Sequence, residues 1–278
     1  MCWLFVLAGL VVILPMKRTF GERDLFFPQP SILSAWPPGV EPISVASGDG
    51  TILRGAGVGR PENGTLLYFY GNGELVDLSL DRMFWLSETL KLRVICFDYR
   101  GYGHSGGVPG LDSLVSDAGA ILASQRTEAT PVYVYGRSIG TICALSLAAE
   151  NELNGLILEA PFTSAADVGM AWTRNLPLWM RPLMKLVPDA SLANRIQPVQ
   201  LIGQVHAPLL VIHGTDDTII PMELGMRMVD AAGSGEKTFC QVPGSGHNDL
   251  DISRDPTRTA LITFFAYGGS TEQVRAGK

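Results

Sequence analysis

Short apolar segments alternate along the chain with longer segments of helical spacing. Strand-like runs such as GTLLYFYG, RVICFDY, PVYVY, NGLILEAPF and PLLVIHG are almost continuously apolar. The segments between them, such as LSLDRMFWLSETLKL and LDSLVSDAGAILASQ, repeat apolar residues at intervals of three and four, as helices do. Strands without apolar–polar alternation are typical of a parallel sheet that helices cover on both faces. The pattern therefore predicts one α/β domain with a mostly parallel sheet.

Two segments depart from this alternation. The stretch PISVASGDGTILRGAGVG predicts two strands joined at a Gly-Asp-Gly turn, which is a hairpin pattern. The stretch between about residues 163 and 205 is rich in proline and shows no clear strand. We expect it to form a small helical insertion, a lid, over one end of the sheet. Apolar residues such as Trp172 and Trp179 alternate there with Arg174 and Arg181. This mixture is compatible with ordinary helix packing and with a surface that faces substrate or membrane.

The chain begins with an uninterrupted apolar run, CWLFVLAGLVVILPM, followed at once by Lys17 and Arg18. A spanning helix usually needs about 20 apolar residues, so this run is short for a full crossing. We expect residues 1–20 to act as an uncleaved membrane anchor and residues 25–278 to form the domain. Positive charge after the run favours a cytoplasmic location for the domain. A cleaved signal peptide and an apolar helix packed on the domain are the alternatives.

Composition narrows the classes of partner and cofactor. The chain has 278 residues, 46% of them hydrophobic, and a net charge of −6, which suits a globular protein. It contains no block of Lys and Arg that could follow a phosphate backbone, so nucleic-acid binding is not expected. The four cysteines form no C-x-x-C pair. Cys96, Cys143 and Cys240 lie in segments that are predicted to be buried strand or helix, and neither a metal site nor a disulfide framework is expected.

Ser138 lies at the junction between a predicted strand and the helix that follows it. Gly136-Arg137-Ser138-Ile139-Gly140 matches G-x-S-x-G in this strand–helix setting. An abrupt turn forces its corner residue into a strained conformation, and glycines on either side relieve the collisions. The corner exposes the Ser138 hydroxyl at the carboxyl edge of the sheet, where ligands bind in open α/β folds. We therefore expect Ser138 to be a nucleophile rather than a helix cap.

A serine nucleophile needs a base and a carboxylate that orients the base. Of the four histidines, only His247 is both late in the chain and on a loop after the carboxyl end of a predicted strand. Two adjacent aspartates follow the strand PLLVIHG; Asp217 is preferred as the orienting acid, and Asp216 is the alternative. The predicted triad Ser138, Asp217 and His247 has the chain order associated with α/β-hydrolases.

The oxyanion of an acyl-transfer intermediate needs two hydrogen-bond donors. The backbone N–H of Ile139, directly after the nucleophile, is the first candidate. The loop GNGE after the strand TLLYFY offers the second, the backbone N–H of Asn72, because its glycines permit close approach. The same loop could also be a plain turn.

With these residues in place, the chain resembles the α/β-hydrolase superfamily from about residue 25 to its end. The motifs FDYRGYGHSGG, YGRSIG, EAPFTS, APLLVIHGTDDTIIP and SGHNDL are similar to those of compact membrane-tethered lipid esterases and depalmitoylating thioesterases. The resemblance implies the α/β-hydrolase fold, a twisted and mostly parallel sheet flanked by helices with a small lid. One position departs from the subgroup, which usually has His-Gly-Asn at the oxyanion loop where this chain has Tyr70-Gly71-Asn72.

The expected activity is hydrolysis of acyl esters or thioesters, on lipid-like substrates, through an acyl-enzyme and without a metal or organic cofactor. A small serine aminopeptidase of the same fold is an alternative, in which Glu74 or Asp249 could hold the free amino group. A catalytically inactive, membrane-tethered binding protein is a third possibility, although such proteins usually lose a member of the triad.

Overall fold

The computed structural model describes residues 4–7, 10–13, 16–127 and 130–267. The strands are β1 (Leu4–Leu7), β2 (Leu10–Ile13), β3 (Met16–Phe20), β4 (Val40–Ala46), β5 (Ile52–Val58), β6 (Thr65–Phe69), β7 (Arg93–Phe97), β8 (Val132–Arg137), β9 (Gly155–Glu159), β10 (Met184–Pro188), β11 (Leu209–Gly214) and β12 (Lys237–Val242). The helices are α1 (Val76–Leu90), α2 (Leu111–Gln125), α3 (Gly140–Glu150), α4 (Ala165–Arg174), α5 (Ala190–Arg195), α6 (Pro198–Ile202), α7 (Met222–Ala231) and α8 (Thr257–Tyr267).

An eight-stranded sheet with the order β12-β11-β9-β8-β6-β7-β5-β4 forms the centre of the molecule. From β7 to β12 all neighbouring strands are parallel, whereas β5 pairs antiparallel with both β7 and β4. The predicted α/β class with a mostly parallel sheet is therefore confirmed. The hairpin pattern corresponds to β4 and β5, which turn at the Gly-Asp-Gly segment.

Burial explains why the central strands lack apolar–polar alternation. Every residue of β6, β9 and β11 is buried, because helices cover both faces of the sheet. Helix α3 is buried along most of its length, and its small residues allow it to lie close to β8. The carboxyl ends of parallel strands share one edge of the sheet. The loops after β6, β8, β11 and β12 therefore come together there.

The segment between residues 163 and 205 contains α4, α5 and α6, but it also contains a strand. Strand β10 pairs in parallel with β3 over five residues, from Met184 opposite Met16 to Pro188 opposite Phe20. Strand β10 is an addition that the sequence did not predict. A short strand whose partner lies far away in the sequence leaves no local pattern, because its hydrogen bonds are made with the other end of the chain.

The N-terminal region differs in part from the expected anchor. Residues 4–7 and 10–13 form the antiparallel pair β1 and β2. Residues 16–20, which fall inside the predicted 1–20 anchor, form β3 and pair with β10. Within the described residues, no helix combines the length and the apolar character needed to cross a bilayer. Residues 1–3, 8, 9, 14 and 15 of the predicted anchor lie outside the described residues.

Candidate active site

Ser138 occupies a tight corner between β8 and α3. Its φ angle is 52°, in the left-handed region, and its N–H donates to the carbonyl oxygen of Glu159 at 2.9 Å. A Cβ on Gly136 would lie 2.6 Å from the carbonyl oxygen of Gly140, and a Cβ on Gly140 would collide with the Phe69 carbonyl. Both glycines are thus required by close backbone approach. The strained corner points the Ser138 hydroxyl away from the strand and over the carboxyl edge of the sheet.

Three of the residues singled out in the sequence meet at this edge. The Nε2 atom of His247 lies 3.0 Å from Oγ of Ser138, and its Nδ1 atom lies 2.7 Å from Oδ2 of Asp217. His247 follows β12, and Asp217 follows β11, so parallel strands bring both loops to the corner after β8. The alternative acid, Asp216, is exposed and accepts a hydrogen bond from Thr215 Oγ1 at 2.8 Å.

The Asp217 carboxylate is buried, and each of its oxygens has a defined partner. Oδ1 accepts hydrogen bonds from the N–H groups of Ile219 at 2.9 Å and Ile220 at 2.7 Å, while Oδ2 faces His247. Burial alone would raise the pKa of Asp217, but the neighbouring His213 ring and hydrogen bonds from His247 and the Ile220 N–H outweigh burial and hold the pKa well below its usual range. Asp217 is therefore ionised across the neutral range and fixes a proton on His247 Nδ1.

His213, which the sequence did not favour as a base, is fully buried behind this carboxylate. Its Nε2–H donates to the carbonyl oxygen of Ile220 at 2.7 Å, and the same nitrogen lies 3.5 Å from Oδ2 of Asp217. Gly225 of α7 packs against the His213 ring so closely that a Cβ there would collide with Nδ1. His213 thus supports the loop that carries Asp217, a contact that no sequence pattern predicted.

The two candidate oxyanion donors, Asn72 and Ile139, line the same cavity as Ser138. Within the described part of the chain, no backbone acceptor takes a hydrogen bond from the N–H of either residue. The Asn72 side chain is fixed on both sides, because Oδ1 accepts from Tyr102 Oη–H at 2.8 Å and Nδ2 donates to the Leu25 carbonyl at 2.6 Å. Ile139 immediately precedes α3, whose N-terminus favours negative charge.

Tyr70, the position that departs from the resembled subgroup, is buried beside the predicted oxyanion loop of residues 71–74. Its hydroxyl donates to Oδ1 of Asp98 and accepts from the N–H of Tyr99, both at 3.1 Å. The Tyr99 hydroxyl in turn donates to the Tyr70 carbonyl at 2.7 Å. The phenol therefore anchors the strand end that leads into Gly71 and Asn72.

Arg137, the variable residue inside G-x-S-x-G, connects three parts of the site. Its guanidinium donates to the carbonyl oxygen of His247 at 2.6 Å and to Oε1 of Glu159 at 3.0 Å, and it forms an ion pair with Glu74 in the oxyanion loop. No sequence pattern predicted a role for Arg137. A charged residue at the end of a buried strand was the available signal, since burial of a charge requires a partner.

Glu159 is the buried acid that balances this charge. It lies opposite Arg137 in the β8–β9 register and also forms an ion pair with Arg82 of α1. Burial alone would raise the pKa of Glu159, but the positive charges of Arg82 and Arg137 and hydrogen bonds from Arg82 and Tyr135 outweigh burial and lower it to about 2. The ion cluster beneath Ser138 is therefore fully charged at neutral pH.

A cavity of about 490 Å³ opens over Ser138 and His247. Apolar side chains make up most of its wall. They come from the N-terminal segment, from the start of α3, from α4, from the end of α5 and from the loops after β9 and β11. The apolar residues of the wall are Phe20, Leu25, Phe27, Ile139, Ile142, Phe162, Ala165, Val168, Trp172, Ile196, Ile219 and Ile220. Phe20 and Trp172 touch, with ring centroids 5.2 Å apart. Most of this wall lies outside the motifs, so the sequence identified few of its residues.

Comparison with known proteins agrees with the α/β fold. The family model Hydrolase_4, described as serine aminopeptidase, S33, matches residues 65–204. A protein of Mycobacterium tuberculosis is 35% identical over 241 residues, which cover 83% of this chain and 82% of that protein. Alpha/beta hydrolase domain-containing protein 17B of Xenopus laevis is 29% identical over 194 residues, covering 68% of this chain and 62% of the relative.

Two solved structures show the same fold. An esterase of Pyrococcus furiosus superposes with a TM-score of 0.68 at 17% identity, covering 87% of this chain and 97% of the esterase. A monoacylglycerol lipase of Paleococcus ferrophilus has a TM-score of 0.59 at 20% identity, with 77% and 98% covered. At these identities the likeness concerns the fold alone. Together with the family match, these findings show that the chain belongs to the α/β-hydrolase superfamily, in the family of the serine aminopeptidase S33 type.

Proposed function

We propose that this protein is a serine hydrolase that cleaves acyl esters or thioesters through an acyl-enzyme. The observation that carries the proposal is the continuous contact from Asp217 through His247 to Ser138, with distances of 2.7 Å and 3.0 Å. A hydroxyl within reach of an imidazole, whose other nitrogen faces an ionised carboxylate, is the arrangement that activates a serine.

The chemistry follows from the positions of these groups. Oγ of Ser138 attacks the acyl carbonyl carbon while its proton passes to Nε2 of His247. The N–H groups of Asn72 and Ile139 stabilise the negative oxygen of the tetrahedral intermediate. His247 then gives the proton to the departing alcohol or thiol, and a water molecule, activated by His247, releases the acid from Ser138.

The wall of the cavity supports a lipid-like acyl group as substrate. Apolar side chains surround the space beyond Ser138, and a methylene group that moves from water to such a surface gains about 0.8 kcal/mol. The esterase and the monoacylglycerol lipase that share the fold bear names consistent with ester substrates.

The test is the Ser138→Ala variant, assayed with p-nitrophenyl esters of increasing chain length and with a fluorophosphonate probe. Loss of the nucleophile should lower kcat by at least about 10³-fold and abolish labelling, with the fold intact by circular dichroism. Ser116→Ala is a matched control, because Ser116 is exposed on α2. Hydrolysis retained by Ser138→Ala would refute the mechanism, and unlabelled wild type would favour an inactive binding protein.

An aminopeptidase is the second candidate, favoured by the description of the family model and by one acid in the cavity wall. Glu74 is paired with Arg137 and Asp249 accepts the Gly246 N–H, whereas Asp24 lines the cavity. An aminoacyl p-nitroanilide distinguishes the two candidates. If it is cleaved with higher kcat/KM than every ester, and Asp24→Asn lowers only that activity, the esterase assignment is wrong.

Attachment to a membrane through the N-terminal segment stays a prediction. Removal of residues 1–20 would also remove β3 and the buried Phe20. A deletion that ends before Met16 keeps the strand and isolates the apolar run. The membrane fraction of cells that express this deletion should then contain less of the protein than with the full chain.

A further inference from the structure

The outer surface of the insertion carries apolar side chains that are largely exposed. Leu178 is 76% exposed, Trp179 is 70% exposed and Met170 is 51% exposed. Leu178 and Trp179 lie in a compact turn between α4 and β10, in which the Met180 and Met184 N–H groups donate to the carbonyls of Pro177 and Met180. We call the surface formed by Met170, Leu178 and Trp179 with the neighbouring Lys17, Arg174, Arg181 and Lys185 the roof face.

The segments that carry these apolar residues, and strand β3 beside them, contain several cations. Residues 1–21 and 168–188 contain five Lys and Arg and no Asp or Glu, whereas the whole chain has a net charge of −6. The five are Lys17, Arg18, Arg174, Arg181 and Lys185. Among the described residues, none of them forms a salt bridge. The roof face is thus a positively charged patch on an otherwise acidic protein.

The backbone brings these charges together. Lys17 and Lys185 are direct partners in the β3–β10 register, and both are exposed. The Leu186 N–H donates to Oγ1 of Thr173 at 2.9 Å, which places the end of α4, where Arg174 lies, against Lys185. Arg181 follows within the turn that carries Trp179. Lys17, Arg174, Arg181 and Lys185 therefore lie on neighbouring segments, and Arg181 is two residues from the exposed Trp179. Arg18, which follows Lys17 in β3, points to the opposite face of the strand.

We propose that the roof face binds the surface of an anionic lipid bilayer. Tryptophan prefers the boundary between headgroups and acyl chains, and Lys and Arg are attracted by anionic lipids. A surface with apolar side chains next to cations combines both attractions, as interfacial helices do. The elements that carry it also supply Phe20 and Trp172 to the cavity wall. The proposal does not rest on the hydrolytic function.

Vesicle sedimentation of the full chain tests the charges. Vesicles of phosphatidylcholine with phosphatidylglycerol should bind the protein more tightly than phosphatidylcholine alone, and added salt should weaken binding. The double variant Arg181→Gln/Lys185→Gln should lose about 25-fold in affinity, roughly fivefold for each cation. Arg60→Gln is the control, because Arg60 follows β5 at the opposite edge of the sheet. Equal affinity of the double variant and wild type would overturn the proposal, as would equal binding to neutral vesicles.

Fluorescence quenching by brominated lipids tests the position of Trp179. Wild type should be quenched on anionic vesicles, and Trp179→Phe should lose that part of the quenching, whereas Trp85→Phe should retain it. The N-terminal segment is present in all three proteins, so the difference between them reports on Trp179. Quenching that is the same in Trp179→Phe and wild type contradicts the proposal. Ester turnover without vesicles is measured in parallel, because failure of the hydrolytic proposal would remove turnover and leave vesicle binding unaffected.

Discussion

The polar floor of the cavity, formed by Ser138, His247, Asp217, Arg137 and Glu159, and its apolar wall are held in place by different kinds of interaction. On the floor, polar groups are fixed by buried ion pairs and backbone hydrogen bonds, as for Asp217 between two N–H groups and Arg137 between Glu159 and the His247 carbonyl. The wall consists of apolar contacts between segments distant in sequence, such as Phe20 against Trp172. Under the proposed function, the floor would determine the reaction and the wall would determine which acyl groups reach Ser138.

The largest effect is expected on the floor, for Asp217→Asn. Two backbone N–H groups require an oxygen at the Oδ1 position, so the amide nitrogen must face Nδ1 of His247. An NH₂ donor there forces the proton of His247 onto Nε2, which can then no longer accept the Ser138 proton. We expect kcat to fall about 10⁴-fold, measured with a p-nitrophenyl ester.

Asp216→Asn is the matched control, since it is the same substitution at the adjacent, exposed residue. It should leave kcat within about twofold of wild type, as surface substitutions usually change little. A larger loss in Asp216→Asn than in Asp217→Asn would assign the orienting role to the wrong acid.

A second substitution on the floor, Glu159→Gln, should act on stability. It leaves Arg82 and Arg137 without their buried negative partner, and removal of one member of a buried pair typically costs about 3–5 kcal/mol. Urea unfolding at neutral pH measures this loss. Glu88→Gln, on the exposed side of α1, should change the free energy of unfolding by less than about 0.5 kcal/mol.

The difference in stability between wild type and Glu159→Gln should also depend on pH. The pKa of Glu159 is lowered to about 2 from an ordinary value of 4.5, so its contribution to stability is fully present above pH 4.5. That contribution is lost as the pH falls from 4.5 towards 2. Wild type should therefore approach the stability of Glu159→Gln in this window, and a constant difference between the two proteins would contradict the charged cluster.

The smallest effect is expected in the wall, for Trp172→Ala. Loss of this ring should lower kcat/KM for a decanoyl ester about tenfold, because a long acyl chain loses apolar contact, and change the acetyl ester little. Trp85→Ala removes a half-buried tryptophan from α1, outside the cavity, and should leave the ratio of the two esters as in wild type. An equal loss for both esters in Trp172→Ala would show that the wall does not select chain length.

The contrast between floor and wall also separates what the sequence could predict. The corner at Ser138 could be predicted from the sequence, because the strained turn restricts which residues fit there and requires a glycine at position 140. The parallel sheet then brings the loops that carry Asp217 and His247 to the same edge. Their contact geometry agrees with the expectation, while their catalytic roles stay a prediction.

Contacts between distant segments left no comparable pattern. Strand β10 could not be recognised, since its partner β3 lies at the other end of the chain. The function of Arg137 was also missed, because its partners Glu74, Glu159 and His247 come from three separate loops or strands.

The pairing of β3 with β10 also makes residues 16–20 part of the structure that surrounds the cavity. Phe20 ends β3 and its ring contacts that of Trp172 in the cavity wall, so a change in the position of β3 would alter this wall. We therefore expect a fusion partner or a tag at the N-terminus to affect the cavity wall. Substrate range should be compared between proteins tagged at either end before any preference for chain length is ascribed to the native enzyme.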